Sequence, residues 1–311
     1  MPETTTVTAR GDGLIVTRLS AHPAALGESP LWDPETARLW WIDGVAGQIH
    51  GFGSDGAEIA PVQVGRHIGG IALATDGRLA AARDHDFLLC DPASGDIEIL
   101  LTLGDTDPKM RLNDVKLDRQ GRLLCAGMGR GGDPLGALHQ LDGAGRHRIL
   151  ATGLRIGNGI CFSPEGDTLY FSDTPARRLF ACDYNPATGQ ASEPRLHIDT
   201  SAWGSGVDGA TVDRDGNLWA AMIHSAEIGC FASDGTLSRR FPAPVDLPSS
   251  LAFGGTNLSR LFVTSIRDSG TGRAVSTHPD GGHLFAVDGI GATGLPEARF
   301  SPEDPSARPP A

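Results

Sequence analysis

The chain has 311 residues, with 26 Lys and Arg against 38 Asp and Glu, for a formal net charge of −12. A net negative chain without a concentrated basic stripe attracts neither nucleic acid nor anionic membrane surfaces. The only basic pairs, Arg177-Arg178 and Arg239-Arg240, are isolated, and no apolar run approaches the ~18 residues of a membrane span.

The first residues, MPETTTVTARGDG, have an early acidic residue and no apolar core segment. No secretory signal is read there, and residues 1–13 are expected to be a disordered arm. Residues 14–19 (LIVTRL) read as a strand that joins the last structural unit and latches the ring described next. From Glu28 onward one short pattern returns six times: ESPLWDPETARLWW, GGIALATDGRLAAA, NDVKLDRQGRLLCA, NGICFSPEGDTLYF, DGATVDRDGNLWAA and SSLAFGGTNLSRLFV. The leading residues are Glu28, Gly69, Asn113, Asn158, Asp208 and Ser249, spaced 41, 44, 45, 50 and 41 apart. That interval suits the ~40–50 residue period of propeller blades.

Within each copy, pairs such as Val115 and Leu117 or Ile160 and Phe162 alternate at period two, as strands require. Turns such as Asp76-Gly77 and Asp215-Gly216 follow, then a second strand and a third apolar stretch. The predicted fold is all-β, a single six-bladed β-propeller with a central channel over residues 14–300, followed by a disordered tail at 301–311 (SPEDPSARPPA). The five cysteines, Cys90, Cys125, Cys161, Cys182 and Cys230, sit mostly in apolar strand stretches without CxxC spacing. They read as reduced core thiols of a cytoplasmic protein.

In a propeller the innermost strands line the channel, so corresponding residues form a ring at one depth. Glu28, Asn158 and Asp208, from blades one, four and five, therefore point toward a common axis. Two carboxylates and one amide carbonyl suit a hard cation, Ca²⁺, Mg²⁺ or Mn²⁺; Zn²⁺ also accepts carboxylates. Asn and Asp also lead strands as turn formers, but Glu28 is a poor turn residue.

These motifs resemble the gluconolactonase/regucalcin family, also called the senescence marker protein family. The resemblance rests on GESPLWDPETARLWWID, RLNDVKLDRQGRL, GNGICFSPEGDTLYFSD, VDGATVDRDGNLWAA and APVDLPSSLAFGGTNLSRLFVTS, in order from about Glu28 to Asp288. It implies a six-bladed propeller with one divalent cation on its axis, held by Glu28, Asn158 and Asp208. It further implies that Arg111 and Asn113 contact substrate hydroxyls or a water at the cation. Val115 stands where the family commonly has Gly, and the loop after Met128, GRGGDPLGALH, is Gly-rich. Those differences leave the substrate less defined than the metal.

The implied reaction is hydrolysis of a sugar-derived lactone, an aldonolactone, to its aldonic acid, with a small-molecule lactone as partner and a monomer or weak oligomer as the working state. Asp208 is assigned as base as well as ligand, with activation of water by the cation alone as the competing version. Asp114 follows Asn113 and faces the opposite side if its strand is regular, which gives it a structural role. Trp40 and Trp41 read as blade packing. Trp203 either flanks the pocket or staples a loop. Among the histidines only His67 and His224 fall near a channel mouth. GxSxG is absent, so Ser163 is a turn residue. Two other classes compete: a non-catalytic metal-binding propeller, and a phosphotriesterase-like hydrolase, which needs an apolar channel mouth in place of Arg111 and Asn113.

Overall fold

The computed structural model describes residues 7–9, 13–104 and 106–303. Six antiparallel sheets stand around one axis. Blade 1 consists of Gly27–Asp33, Arg38–Asp43, Gln48–Phe52 and Glu58–Gln63. The inner strands of blades 2 to 6 are Ile68–Leu73, Met110–Leu117, Gly157–Phe162, Val207–Val212 and Pro248–Gly254. The only helical elements among the described residues are single 3-10 turns at Thr174–Ala176 and Ser201–Trp203.

The ring is closed by the N-terminal strand Ile15–Arg18, which pairs with Phe285–Asp288 of blade 6. One sheet thus holds both ends of the repeat array. A disordered arm was expected over residues 1–13, but Val7–Ala9 pair with Ile15, Val16 and Thr17 as a fifth strand. Ile15–Arg18 would otherwise be an open edge, and Val7 and Thr8 are β-branched residues suited to extending it. The rest of that segment, 1–6 and 10–12, lies outside the described residues.

The core consists of layers between neighbouring blades. Leu31, Trp40, Ile42 and Ile49 of blade 1 meet Ile68, Ile71, Ala81 and Leu88 of blade 2. The seam between blades 6 and 1 holds Leu39, Trp41, Phe262 and Leu284. Trp40 and Trp41 are therefore packing residues, and burying each such side chain contributes roughly 1.5–3 kcal/mol. All five cysteines are free and buried. Many of the repeated Asp residues cap hairpins. Asp118 accepts from Gln120 N, Arg122 N and the Tyr184 hydroxyl, and Asp213 accepts from Asn217 N and Trp219 Nε1.

Two features place the site. Every inner strand slips register around its leading residue, for instance between Glu28 and Leu31, Ile68 and Gly70, Leu112 and Val115, and Asn158 and Cys161. These are β-bulges, which re-aim side chains. The other feature is a strap formed by the residues after blade 6, crossing the far end of the channel. Gly294 N bonds Leu258 O of blade 6, Thr293 O accepts from Arg214 N of blade 5, and Phe300 N donates to Leu73 O of blade 2. Glu297 takes Lys116 Nζ of blade 3 at 2.5 Å, and Arg299 reaches Asp33 and Glu35 of blade 1. The expected tail at 301–311 is likewise held at its start, with Glu303 N bonded to Gly143 O; residues 304–311 lie outside the described residues. Between strap and inner strands lies a cavity lined by Ser29, Ile71, Asp114, Lys116 and Glu297, with about room for one water. The opposite end, the mouth, is where the inner strands begin.

Candidate functional site

The six leading residues ring the mouth and divide into two kinds. Ser249 and Gly69 are structural. The Ser249 hydroxyl donates to Gly27 O and ties blade 6 to blade 1. A Cβ at Gly69 would lie 2.0 Å from Asn113 O, so glycine lets blades 2 and 3 meet. Glu28, Asn113, Asn158 and Asp208 carry the polar site. Asn158 and Asp208 are 5% and 6% exposed; Glu28, Arg111, Asn113 and Asp114 are half-buried.

Hydrogen bonds fix the orientation of the two amides. Asn158 Nδ2 donates to Thr174 Oγ1 at 2.9 Å, and Thr174 Oγ1 donates to Val207 O at 2.7 Å. That turns Asn158 Oδ1 inward, where it accepts from Asn113 Nδ2 at 2.6 Å. Asn113 Nδ2 also donates to Gly157 O at 3.1 Å, so both of its amide hydrogens are engaged and its Oδ1 is an acceptor toward the pocket.

Asp114 corrects the reading of a regular strand. Because the strand bulges at Asn113 and Asp114, Asp114 does not turn away from the axis. It lines the channel, its Oδ2 accepts the Ile160 N–H of blade 4 at 2.9 Å and its Oδ1 accepts Val115 N–H. Ser29 plays the same part in blade 1, taking the Ile71 N–H of blade 2 on Oγ at 3.0 Å. Ser29 holds φ 51° to do so, a backbone strain of a kind concentrated at functional sites. Both residues follow the leading position, and both brace the next blade.

The charges are crowded. Burial raises the Glu28 carboxyl well above the usual range, with Asp208 and Asp114 pushing the same way, against the Ser29 N–H and Arg111. Asp208 is raised by burial and by Asp114, against Arg111 and the Asn158 amide. Burial brings Asp114 up to about 6 despite the N–H of Ile160 and the charge of Lys116. Burial and the neighbouring Arg130 lower Arg111 to about 10, opposed by Glu28 and Asp84. Among the described residues the one hydrogen bond of the Arg111 guanidinium goes to Leu112 O at 2.9 Å, which leaves most of its donors free.

Two carboxylates forced together under partial burial are a natural place for a cation. Among the described residues no cluster of three His, Cys, Asp or Glu is assembled; the third oxygen-bearing side chain beside the two carboxylates is Asn158, whose amide hydrogen-bonds Asp208 and whose Oδ1 accepts from Asn113. An all-oxygen set fits a hard divalent ion. The peripheral residues sort as follows. His67, at φ 62°, lies by Arg130, Asp84 and Arg111. His224 holds the 205–206 backbone through Ser205 Oγ and Gly206 N. Trp203 packs edge-on to Phe231 at 5.7 Å as a loop staple. The sequence reading missed the Asp84–Arg130 ion pair beside Arg111; its only trace was the Gly-rich loop after Met128.

Fold and site together define a closed six-bladed propeller with an oxygen-donor site at one end of its axis. The family described as SMP-30/gluconolactonase/LRE-like region matches residues 26–267, and the chain belongs to that family. It is 33% identical to the pentonolactonase XacC of Haloferax volcanii, over 92% of this chain and 98% of that protein. With the L-arabinolactonase of Azospirillum brasilense it shares 29% identity, over 89% and 92% of the two chains. The solved structure of a calcium-binding protein, regucalcin, from Agrobacterium tumefaciens superposes with a TM-score of 0.84 at 28% identity, covering 91% of this chain and 96% of that one.

Proposed function

We propose that the protein is a metal-dependent lactonase that opens sugar-derived lactones to their hydroxy acids. The observation that carries this reading is the meeting of Glu28, Asn158 and Asp208 from three blades, with Arg111 and Asn113 beside them, at the end of the channel opposite the strap. The pentonolactonase and L-arabinolactonase relatives support the substrate class, and the calcium-binding neighbour supports a divalent ion. Glu28, Asn158 and Asp208 are the proposed ligands, and Ca²⁺, Mn²⁺, Mg²⁺ and Zn²⁺ are the candidates. When bound, such an ion supplies Lewis acidity that polarises the lactone carbonyl and acidifies water.

The residues supply the rest. Asp208 takes a proton as water adds to the carbonyl carbon, and returns it to the ring oxygen as the C–O bond breaks. Arg111 offers its free donors to sugar hydroxyls and to the developing negative oxygen. Asn113, with its amide hydrogens committed, accepts from one hydroxyl and in turn keeps Asn158 aligned. Asp114 and Ser29 hold neighbouring blades in register beneath the ligands.

The test is proton release from a panel of aldonolactones, using protein stripped with a chelator and then given each divalent ion separately. Turnover should vanish on stripping and return with at least one ion. Full turnover after exhaustive stripping contradicts the reading.

A further inference from the structure

The mouth is not evenly walled. The connections between second and third strands run over residues 44–47, 84–85, 130–135, 174–177 and 223–226 in blades 1 to 5, but over residues 266–284 in blade 6. A connection of that length within a compact fold commonly carries function. Its first half is a built hairpin. Asp268 bridges Val275, Ser269 N bonds Ala274 O, and Ser276 N bonds Arg267 O. The base is fastened twice, by Arg267 N and Asp268 N to Ala25 O and by Ser276 Oγ and Thr277 N to Asp246.

From that base the finger leans over blade 1 and reaches blade 3. Gly270 at its tip faces Val45, from which a Cβ there would be 3.7 Å. Arg273 Nη2 donates to Gly131 O at 2.6 Å. In a six-bladed ring, blades 6 and 3 are opposite, so this bond spans the mouth on the side of blades 1 and 2. The receiving loop is flexible by composition, with glycine at 127, 129, 131, 132 and 136. It is held from outside by two arginines, Arg273 and Arg155, the latter to Gly132 O at 3.3 Å, and its own Arg130 reaches Asp84 of blade 2. Arg130 lies beside Arg111, so the loop's position bears on the pocket. The strap crosses the other end of the channel, so a substrate that enters at the mouth passes this bridge.

We propose that Arg273 is a specificity-determining latch, holding the blade 6 finger on the blade 3 loop and so limiting the site to lactones of a single sugar unit. The inference rests on the lactonase reading for its substrate and on geometry alone for the latch. The test compares Arg273→Ala with the parent protein, both ion-loaded, on an aldonolactone and on the same lactone bearing a second sugar unit on the hydroxyl farthest from the carbonyl. The variant should raise kcat/KM for the two-sugar lactone relative to the one-sugar lactone about tenfold, the scale of one lost hydrogen bond to a charged group. Turnover of the one-sugar lactone should persist. An unchanged ratio overturns the proposal. Hydrogen exchange over residues 127–136 is read in parallel and should accelerate in the variant; unaltered exchange also overturns the latch. If the parent opens neither lactone, the lactonase reading has failed, and exchange alone decides the latch.

Discussion

The two ends of the channel are made by the same six strands, yet they treat charge in opposite ways. At the floor, Lys116 meets Glu297 and Arg299 meets Asp33 and Glu35. Burial alone would raise the Asp33 carboxyl, but hydrogen bonds from Thr36, Glu35 N and Arg299 hold it below its usual range. At the mouth, Glu28 and Asp208 are raised by burial and by other carboxylates. The floor satisfies its charges and the mouth leaves its own in conflict. Local electrostatic conflict gathered around facing carboxylates is a mark of function.

The largest effect expected from breaking this contrast is catalytic. Glu28→Ala or Asp208→Ala should lower ion-dependent lactone opening by about 10²–10⁴-fold, measured by proton release. Asp208→Asn should also raise the Tm of chelated protein, because it removes a buried charge held against Glu28 and Asp114. A fall in both activity and Tm would make the mouth a scaffold like the floor. A smaller loss is expected for Arg111→Ala, about 10–100-fold in kcat/KM from its lost charged hydrogen bonds, borne mostly by KM. A pure kcat effect would move Arg111 from substrate contact to the chemical step.

Removing one partner at the floor should affect stability and spare catalysis. Glu297→Ala leaves Lys116, 18% exposed, without its counter-charge. A loss of about 1–3 kcal/mol in denaturant unfolding is expected, with kcat/KM within about twofold of the parent. Activity that collapses while unfolding is unchanged would show that the two ends are coupled.

How much of this the sequence disclosed depends on repetition. Glu28, Asn158 and Asp208 could be lined up because each opens a copy of one motif, and register carries that placement directly into space. Asp114 was misplaced because alternation assumes an unbroken strand, whereas each inner strand bulges at that point. The residues after the leading position, Ser29, Gly70, Asp114, Gly159, Gly209 and Ser250, are small or turn-forming, and that shared character was the available signal. The outer strands, such as Ile97–Thr102 and His147–Leu154, lay outside the motifs because solvent on one face loosens their pattern. The strap and the blade 6 finger occur once each, so no periodicity could reveal them. Their bonds join residues as distant in the chain as Arg299 and Asp33 or Arg273 and Gly131.

The smallest effect separates both ends from the wall between blades 2 and 3. There His139, 3% exposed, shares a hydrogen bond of 3.0 Å with His147, and both rings pack near Phe87. The His139 Nε2 is buried without a partner. Burial and the adjacent His147 lower His139 to about 4, whereas an unfolded chain protonates histidine near ~6.5. The folded state therefore binds fewer protons between those values. Its advantage is complete above the unfolded value, shrinks as pH falls, and shrinks no further below about 4. Near pH ~5.5 the loss should be roughly 1 kcal/mol. Unfolding free energy measured from neutral pH down to that point should slope downward in the parent protein and less so in His139→Gln. An equal slope in the variant would assign the acid sensitivity to the other histidines that burial lowers, His147 beside it and His67 and His224 at the mouth; the floor's Asp33, already lowered, loses its contribution only at more acid pH, and the raised carboxylates of the mouth gain stability on acidification.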